Sequence, residues 1–177
     1  MIRSCMRSAA RAGAHWRAAT AVGLSIGAVV AGAGTGSAAV TPITGPIYGY
    51  QGLCMDDRGF GTSNGNPVQL YQCNNGSNQQ WTVTNPTFGS ATTFTDLGLC
   101  LGVEGDGSSN GDPVGLYTCD GSAVQEWILE FNGTFVNLNS GKCLDDTGFG
   151  LSGTALQVWS CNNGSNQAWN ISGLPTG

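Results

Sequence analysis

Three stretches of the chain repeat one pattern, two cysteines followed by Gln-x-Trp. They run from Cys54 through Cys73 to Trp81, from Cys100 through Cys119 to Trp127, and from Cys143 through Cys161 to Trp169. The second cysteine stands eight residues before the tryptophan each time. A threefold repeat constrains the fold more than any local motif, because each unit must bury its apolar face against its neighbours. It also gives three samples of one design. Positions kept in all three copies point to structure; positions kept in two and lost in the third point to function.

Each copy reads as strand. Val68, Leu70 and Gln72 alternate with Gln69, Tyr71 and Cys73, and Val114–Tyr117 and Leu156–Trp159 repeat the period of two. Asn-Gly turn signals recur at Asn64, Asn75, Asn110, Asn132 and Asn163. This predicts an all-β domain of about twelve short strands, four per copy. Propeller blades also repeat near this length, but a propeller closes with about four or more blades. Three four-stranded units around one pseudo-threefold axis make a β-trefoil. The repeats fall at about 46–85, 86–131 and 132–171, with Trp81, Trp127 and Trp169 as the expected core side chains. The Gln before each Trp is expected to satisfy backbone groups.

The first 39 residues read as a secretory signal peptide. Arg3, Arg7, Arg11 and Arg17 form a basic region, Ala18–Ala33 is apolar, and Ser37-Ala38-Ala39 offers a small-x-small cleavage site before Val40. The apolar stretch is short for a membrane span. The expected mature domain, 40–177, holds two basic residues, Arg58 and Lys142, against eleven acidic ones, a net charge of −9. That balance disfavours nucleic acid and anionic lipid and leaves neutral partners. Oligomeric state is not legible. In an oxidising, extracellular setting the six remaining cysteines are expected to pair within copies, as Cys54–Cys73, Cys100–Cys119 and Cys143–Cys161. Without His or Cys-x-x-Cys, the set does not suit zinc. Glu104, Asp106, Ser108, Asn110 and Asp112 lack the spacing of a calcium loop and read as a solvated one. No metal or cofactor is expected. Asn75, Asn132, Asn163 and Asn170 lie in Asn-x-Ser/Thr sequons.

Cys-x-Asp, then Gln-x-(Tyr/Trp)-x-Cys, then Asn-Gln-x-Trp resembles the ricin B-type lectin repeat, and the resemblance covers essentially all of 40–177. It implies a β-trefoil with a sugar pocket potentially on each copy, for galactose-type or related sugars. The implied carbohydrate-binding residues are Asp56, Gln69, Tyr71, Asn78 and Gln79 in the first copy. In the third they are Asp145, Gln157, Trp159, Asn166 and Gln167. The second copy has Gly102, Gly115 and Val124 in place of the Asp, Gln and Asn, yet keeps its cysteines, Tyr117, Gln125 and Trp127. Two pockets are therefore expected.

The chemistry stands without the resemblance. A carboxylate accepts hydrogen bonds from adjacent hydroxyls, an amide gives a donor and an acceptor, and an aromatic face packs on the C–H face of a pyranose. Phe60 and Phe149, in Gly-Phe-Gly loops, are further candidate contacts. The competing reading makes Tyr71 and Trp159 core residues and the Asp residues turn caps; for Tyr117 that reading is preferred.

Catalysis finds little support. The 40–177 segment has no His and, once its cysteines pair, no thiol. Asp56-Asp57 and Asp145-Asp146 are adjacent on strands and point to opposite faces, which does not suit a pair flanking one bond. The expected function is that of a stand-alone secreted lectin, not an enzyme. A trefoil protease inhibitor or a non-catalytic targeting module is the alternative.

Overall fold

The computed structural model describes residues 39–174. The expected leader, Ala39 apart, lies outside the described residues.

Fourteen short strands are present among them. The first copy contains β1 (Ile43–Gly45), β2 (Ile47–Tyr48), β3 (Cys54–Asp57), β4 (Asn66–Tyr71) and β5 (Trp81–Val83). The second contains β6 (Ala91–Thr92), β7 (Phe94–Asp96), β8 (Leu99–Val103), β9 (Val114–Tyr117) and β10 (Trp127–Leu129). The third contains β11 (Phe135–Asn137), β12 (Cys143–Asp146), β13 (Thr154–Trp159) and β14 (Asn170–Ile171). β1 and β2 are halves of one strand broken at Pro46, which has no N–H to give a ladder. β6 and β7 are the same strand of the second copy, broken at Thr93. Counted so, each copy has the four strands that its pattern predicts.

Hydrogen bonding runs in register around the axis. The central hairpin of each copy pairs Cys54 with Tyr71, Cys100 with Tyr117 and Cys143 with Trp159. The third strands then join one another. β4 pairs with β9 and with β13, and Pro113 bridges to Gln157. In the remaining layer, each fourth strand pairs with first-strand segments. β5 lies between β1 and β7, and β10 between β6 and β11, while β14 pairs with β2. A ring joined in this way hides the strand edges that would otherwise template aggregation.

A turn from each copy locks onto the next. Asn64 Oδ1 accepts from Thr118 N and Oγ1, and Gly65 N donates to Leu116 O. Asn110 Oδ1 accepts from Ser160 N and Oγ, and Gly111 N donates to Val158 O. Ser152 Oγ accepts from Gln72 N, and Gly153 N donates to Leu70 O, which returns the third copy to the first.

The core is threefold as well. Trp81 and Trp127 are fully buried and Trp169 nearly so. Their indole N–H groups donate to Met55 O, Leu101 O and Leu144 O at 2.8, 3.0 and 3.0 Å, so a large apolar side chain is buried with its one polar atom satisfied. Val68, Val114 and Leu156, and Leu70, Leu116 and Val158, complete equivalent layers.

The three disulfides join Cys54 to Cys73, Cys100 to Cys119 and Cys143 to Cys161, each with Cα atoms 5.1 Å apart. The Gln before each Trp straddles the second cysteine. Gln125 Oε1 accepts from Asp120 N at 3.0 Å and its Nε2 donates to Thr118 O at 2.9 Å. Gln79 spans Asn74 N and Gln72 O, and Gln167 spans Asn162 N and Ser160 O. Gln125→Ala frees two backbone groups at once in a buried setting. A loss of about 1–3 kcal/mol is expected, read as a lower midpoint in denaturant with an unchanged slope.

Candidate functional site

The hairpin register sets Asp56 opposite Gln69 and Asp145 opposite Gln157. A short 3-10 turn then delivers Asn78 and Gln79 in the first copy, and Asn166 and Gln167 in the third. Asp56 Oδ1 accepts from Gln69 Nε2 at 2.8 Å, and Oδ2 accepts from Asn78 Nδ2 and Gln79 Nε2 at 2.9 Å each. Asp145 repeats this with Gln157, Asn166 and Gln167, all at 2.8 Å. Each carboxyl group thus sits among three amide donors, at 2% and 3% exposure. The amide oxygens of Asn78 and Asn166 are buried without a hydrogen-bond partner, alike in both copies.

The predicted residues divide by depth. Gln79 and Gln167 are sealed from solvent, with both ends of their amides bonded to protein. They hold the Asp in place from behind. Tyr71 and Trp159 stand on the surface, 41% and 40% exposed, which removes the alternative of core packing for both. In the third copy Asp145, Gln157, Trp159 and Asn166 line one concavity of about 400 Å³, joined by Asp146, Thr147, Phe149 and Asn162. Thr147 and Asn162 escaped the sequence reading. Asn162 carried a signal, since it belongs to the Cys-Asn-Asn-Gly-Ser-Asn-Gln word shared by the two copies. Phe60 and Phe149 are both exposed, on loops where each takes a positive φ.

The carboxyl group of the second acid in each pair takes no hydrogen bond from the three amides around the first. Asp57 accepts from Asn66 Nδ2 and is otherwise closed in, with Oδ2 unpartnered. Burial pushes its pKa up to about 6, against hydrogen bonds from Gly61 N and Asn66 and with a further rise from Asp56. Asp146 accepts from Gly148 N and Gly150 N and so ties the Gly-Phe-Gly loop to its strand. Its pKa is also raised, by burial first and with a smaller contribution from Asp145.

The second copy is closed rather than merely stripped. Tyr117 is half-buried, and its ring lies over the two glycines that replace Asp and Gln. A Cβ on Gly102 would stand 3.3 Å from Tyr117 Cδ2, and one on Gly115 3.5 Å from Tyr117 Cε2 and 2.9 Å from Asn66 O. Burial, followed by the charge of Glu104, raises the phenol pKa. What remains is a concavity of about 240 Å³ beside Tyr117, Val124 and Gln125. A larger cleft of about 490 Å³ opens elsewhere, between Phe88, Phe131 and Trp169, with Glu130 as its one charged wall residue. It has no cluster of converging amides. Among the described residues no group of three His, Cys, Asp or Glu side chains is placed to hold a metal ion, and no helix is long and apolar enough to cross a membrane.

Comparison with known proteins gives a consistent picture. The model of the family described as ricin-type beta-trefoil lectin domain matches residues 43–169. Serine protease 1 of Rarobacter faecitabidus is 40% identical over 126 residues, which are 71% of this chain and 23% of that protein. Among solved structures, the designed threefold-symmetric protein ThreeFoil superposes with a TM-score of 0.67 at 28% identity, over 71% of this chain and 95% of its own. An agglutinin from Abrus precatorius gives 0.65 at 29%, over 73% and 48%. A non-toxic homologue of type II RIPs from Momordica charantia, in complex with alpha-methyl-D-galactoside, gives 0.64 at 31%, over 74% and 48%.

Proposed function

Because this chain belongs to the ricin-type beta-trefoil lectin domain family, we propose that it is a secreted lectin that binds neutral galactose-type or related sugars through two pockets, on its first and third copies. One observation carries the reading. The same buried Asp–amide cluster, beside a solvent-facing aromatic, is built twice, and the copy that lacks its polar members has its aromatic folded into the gap. A carboxyl group held rigidly by three amides keeps one acceptor position, on the oxygen bonded to Gln69 or Gln157, for a sugar hydroxyl, and Tyr71 or Trp159 suits the C–H face of the ring. Gln69, Asn78, Gln157 and Asn166 offer the remaining polar edges. Gln79 and Gln167 serve by fixing the carboxyl group.

The complex of the Momordica homologue with a methyl galactoside motivates the sugar class. The acidic surface favours uncharged glycans, and the leader pattern with three disulfides favours secretion. The domain acts by binding, with no catalytic step assigned to it.

A glycan array that includes galactosides, N-acetylgalactosaminides, arabinans and xylans is the direct test. Binding to one neutral class is expected. A protein that binds none of them and inhibits a protease would establish the inhibitor alternative. The partial match to the Rarobacter protease, 23% of that protein's length, favours a second reading in which this trefoil is a targeting module of an enzyme. The mass of the native product in culture medium separates the two, about 138 residues being expected for the stand-alone lectin.

A further inference from the structure

The second copy has lost its own pocket, yet its turn at Asn110-Gly111 is clamped to the strand that carries Trp159. Asn110 Oδ1 accepts from Ser160 N at 2.9 Å and from Ser160 Oγ at 3.0 Å, on the residue directly after Trp159. Gly111 N donates to Val158 O at 2.9 Å, and Val158 N to Asp112 O at 3.0 Å, on the residue directly before it. Pro113 bridges to Gln157. The backbone on both sides of Trp159 is therefore held by four consecutive residues of another copy. The turn also reaches the site itself. A Cβ on Gly111 would stand 3.8 Å from both Gln157 Oε1 and Trp159 Cζ3.

We infer that Asn110 is a positioning residue for the third pocket: the second copy, though unable to bind, sets the orientation of Trp159 against Asp145 and so the affinity of its neighbour's site. This rests on the lectin reading for the ligand, but the placement of Trp159 is a separate matter of geometry. The physical ground is that an exposed aromatic side chain has no core packing to fix it. Its direction depends on the strand beneath it, and a site loosened by a fraction of an ångström loses affinity with no contact deleted.

The fold supplies a matched control. Asn64 makes the same two hydrogen bonds to Thr118 N and Oγ1, at 2.7 and 2.9 Å, on the residue after Tyr117. That copy has no binding site to position. If these asparagines only join copies, Asn64→Ala and Asn110→Ala behave alike in every assay.

The experiment uses the full mature chain labelled with 5-fluorotryptophan, with the Trp159 line assigned through Trp159→Phe. Trp81, Trp127 and Trp169 are buried and Trp159 alone of the four is exposed, so its line is separable. Methyl α-D-galactoside, or the glycan that the array selects, is titrated into wild type, Asn64→Ala, Asn110→Ala and Asn110→Asp. Both alanine variants should melt at similarly lowered temperatures. Only Asn110→Ala should move or broaden the Trp159 line and weaken the Asp145-dependent site, by roughly three- to tenfold, without touching the Asp56-dependent one. Asn110→Asp keeps the acceptor and should restore both. An unchanged Trp159 line in Asn110→Ala, or equal loss of binding in the two alanine variants, overturns the inference. If wild type shows no Asp145-dependent binding to any glycan, the sugar reading fails, and the fluorine line alone then decides whether Asn110 positions the ring.

Discussion

A chain carrying Asp56→Gly, Gln69→Gly and Asn78→Val together with Asp145→Gly, Gln157→Gly and Asn166→Val is expected to fold and to bind no glycan. The substitutions are those that the second copy already carries at Gly102, Gly115 and Val124. They remove the acceptor together with two of its three donors, and the third, Gln79 or Gln167, keeps its bond to Gln72 O or Ser160 O, as Gln125 keeps Thr118 O in the second copy. That distinction matters, since an orphaned buried polar group costs about 1–3 kcal/mol while joint removal is close to neutral. Asp56→Ala by itself leaves Gln69 Nε2 without its one protein acceptor, whereas Asn78 still reaches Asp57 O and Gln79 still reaches Gln72 O. The single variant should therefore lose one pocket and also melt a few degrees lower. Conversion of one pocket alone should leave monosaccharide affinity at the other intact. It should cost roughly a hundredfold or more in binding to a polymeric glycan, because the second contact is then no longer made at high effective concentration.

Asp96→Asn is expected to raise the melting temperature by roughly 3–8 °C at pH 8 and to change it little at pH 4. Asp96 stands in the place that Asn137 takes one copy later. Trp127 pairs with Asn137, and the β5–β7 register, with Thr82 opposite Thr95, carries Asp96 to the place facing Trp81. Asn137 donates its amide to Val124 O and Glu126 O at 2.9 and 3.4 Å. Asp96 has no such hydrogen unless it is protonated, and its Oδ2 is buried without a partner. Burial raises its pKa to about 7, helped by the charges of Asp57 and Asp56 and opposed by the Leu97 N–H.

The sign of the effect follows from that direction. With a folded pKa above the unfolded one, the native state holds a proton that the unfolded chain has released. Stability falls as pH rises from about 4, where the unfolded carboxyl ionises, towards 7, and stays at its lower level above that. Asp57, raised to about 6, and Asp146, also raised, push the same way. Wild type should melt highest in mildly acidic buffer, and Asp96→Asn should flatten part of that profile. A variant with the same pH profile as wild type would show that Asp96 is ionised in the fold.

Much of this architecture was legible because the chain states it three times. The spacing of Cys73, Cys119 and Cys161 to their tryptophans gave the units, and the loss of Asp, Gln and Asn in one copy marked which polar residues the fold does not require. The within-copy disulfides appear as the repeat predicted. Less legible was depth. Nothing in Asn78-Gln79 tells which amide lies beneath the carboxyl group and which beside the pocket, because a 3-10 turn, not a strand with its period of two, carries both. Hidden as well was the closure of the second copy by Tyr117, which depends on space left by Gly102 and Gly115 on two different strands. The clamps from Asn64, Asn110 and Ser152 join residues 54, 50 and 80 positions apart, beyond any local pattern. Asp96 carries no signal of its own: it closes β7 two residues after the buried Phe94, and the strand period turns both side chains inward.

The central claim is that the first and third copies bind and the second does not. Calorimetric titration of the mature chain with a monosaccharide of the class that the array selects tests it most directly. Two sites per chain are expected, one with Asp145 converted to Gly in the triple substitution of the third copy, and none with both copies converted. Three sites in wild type, or any binding that survives both conversions, would contradict it.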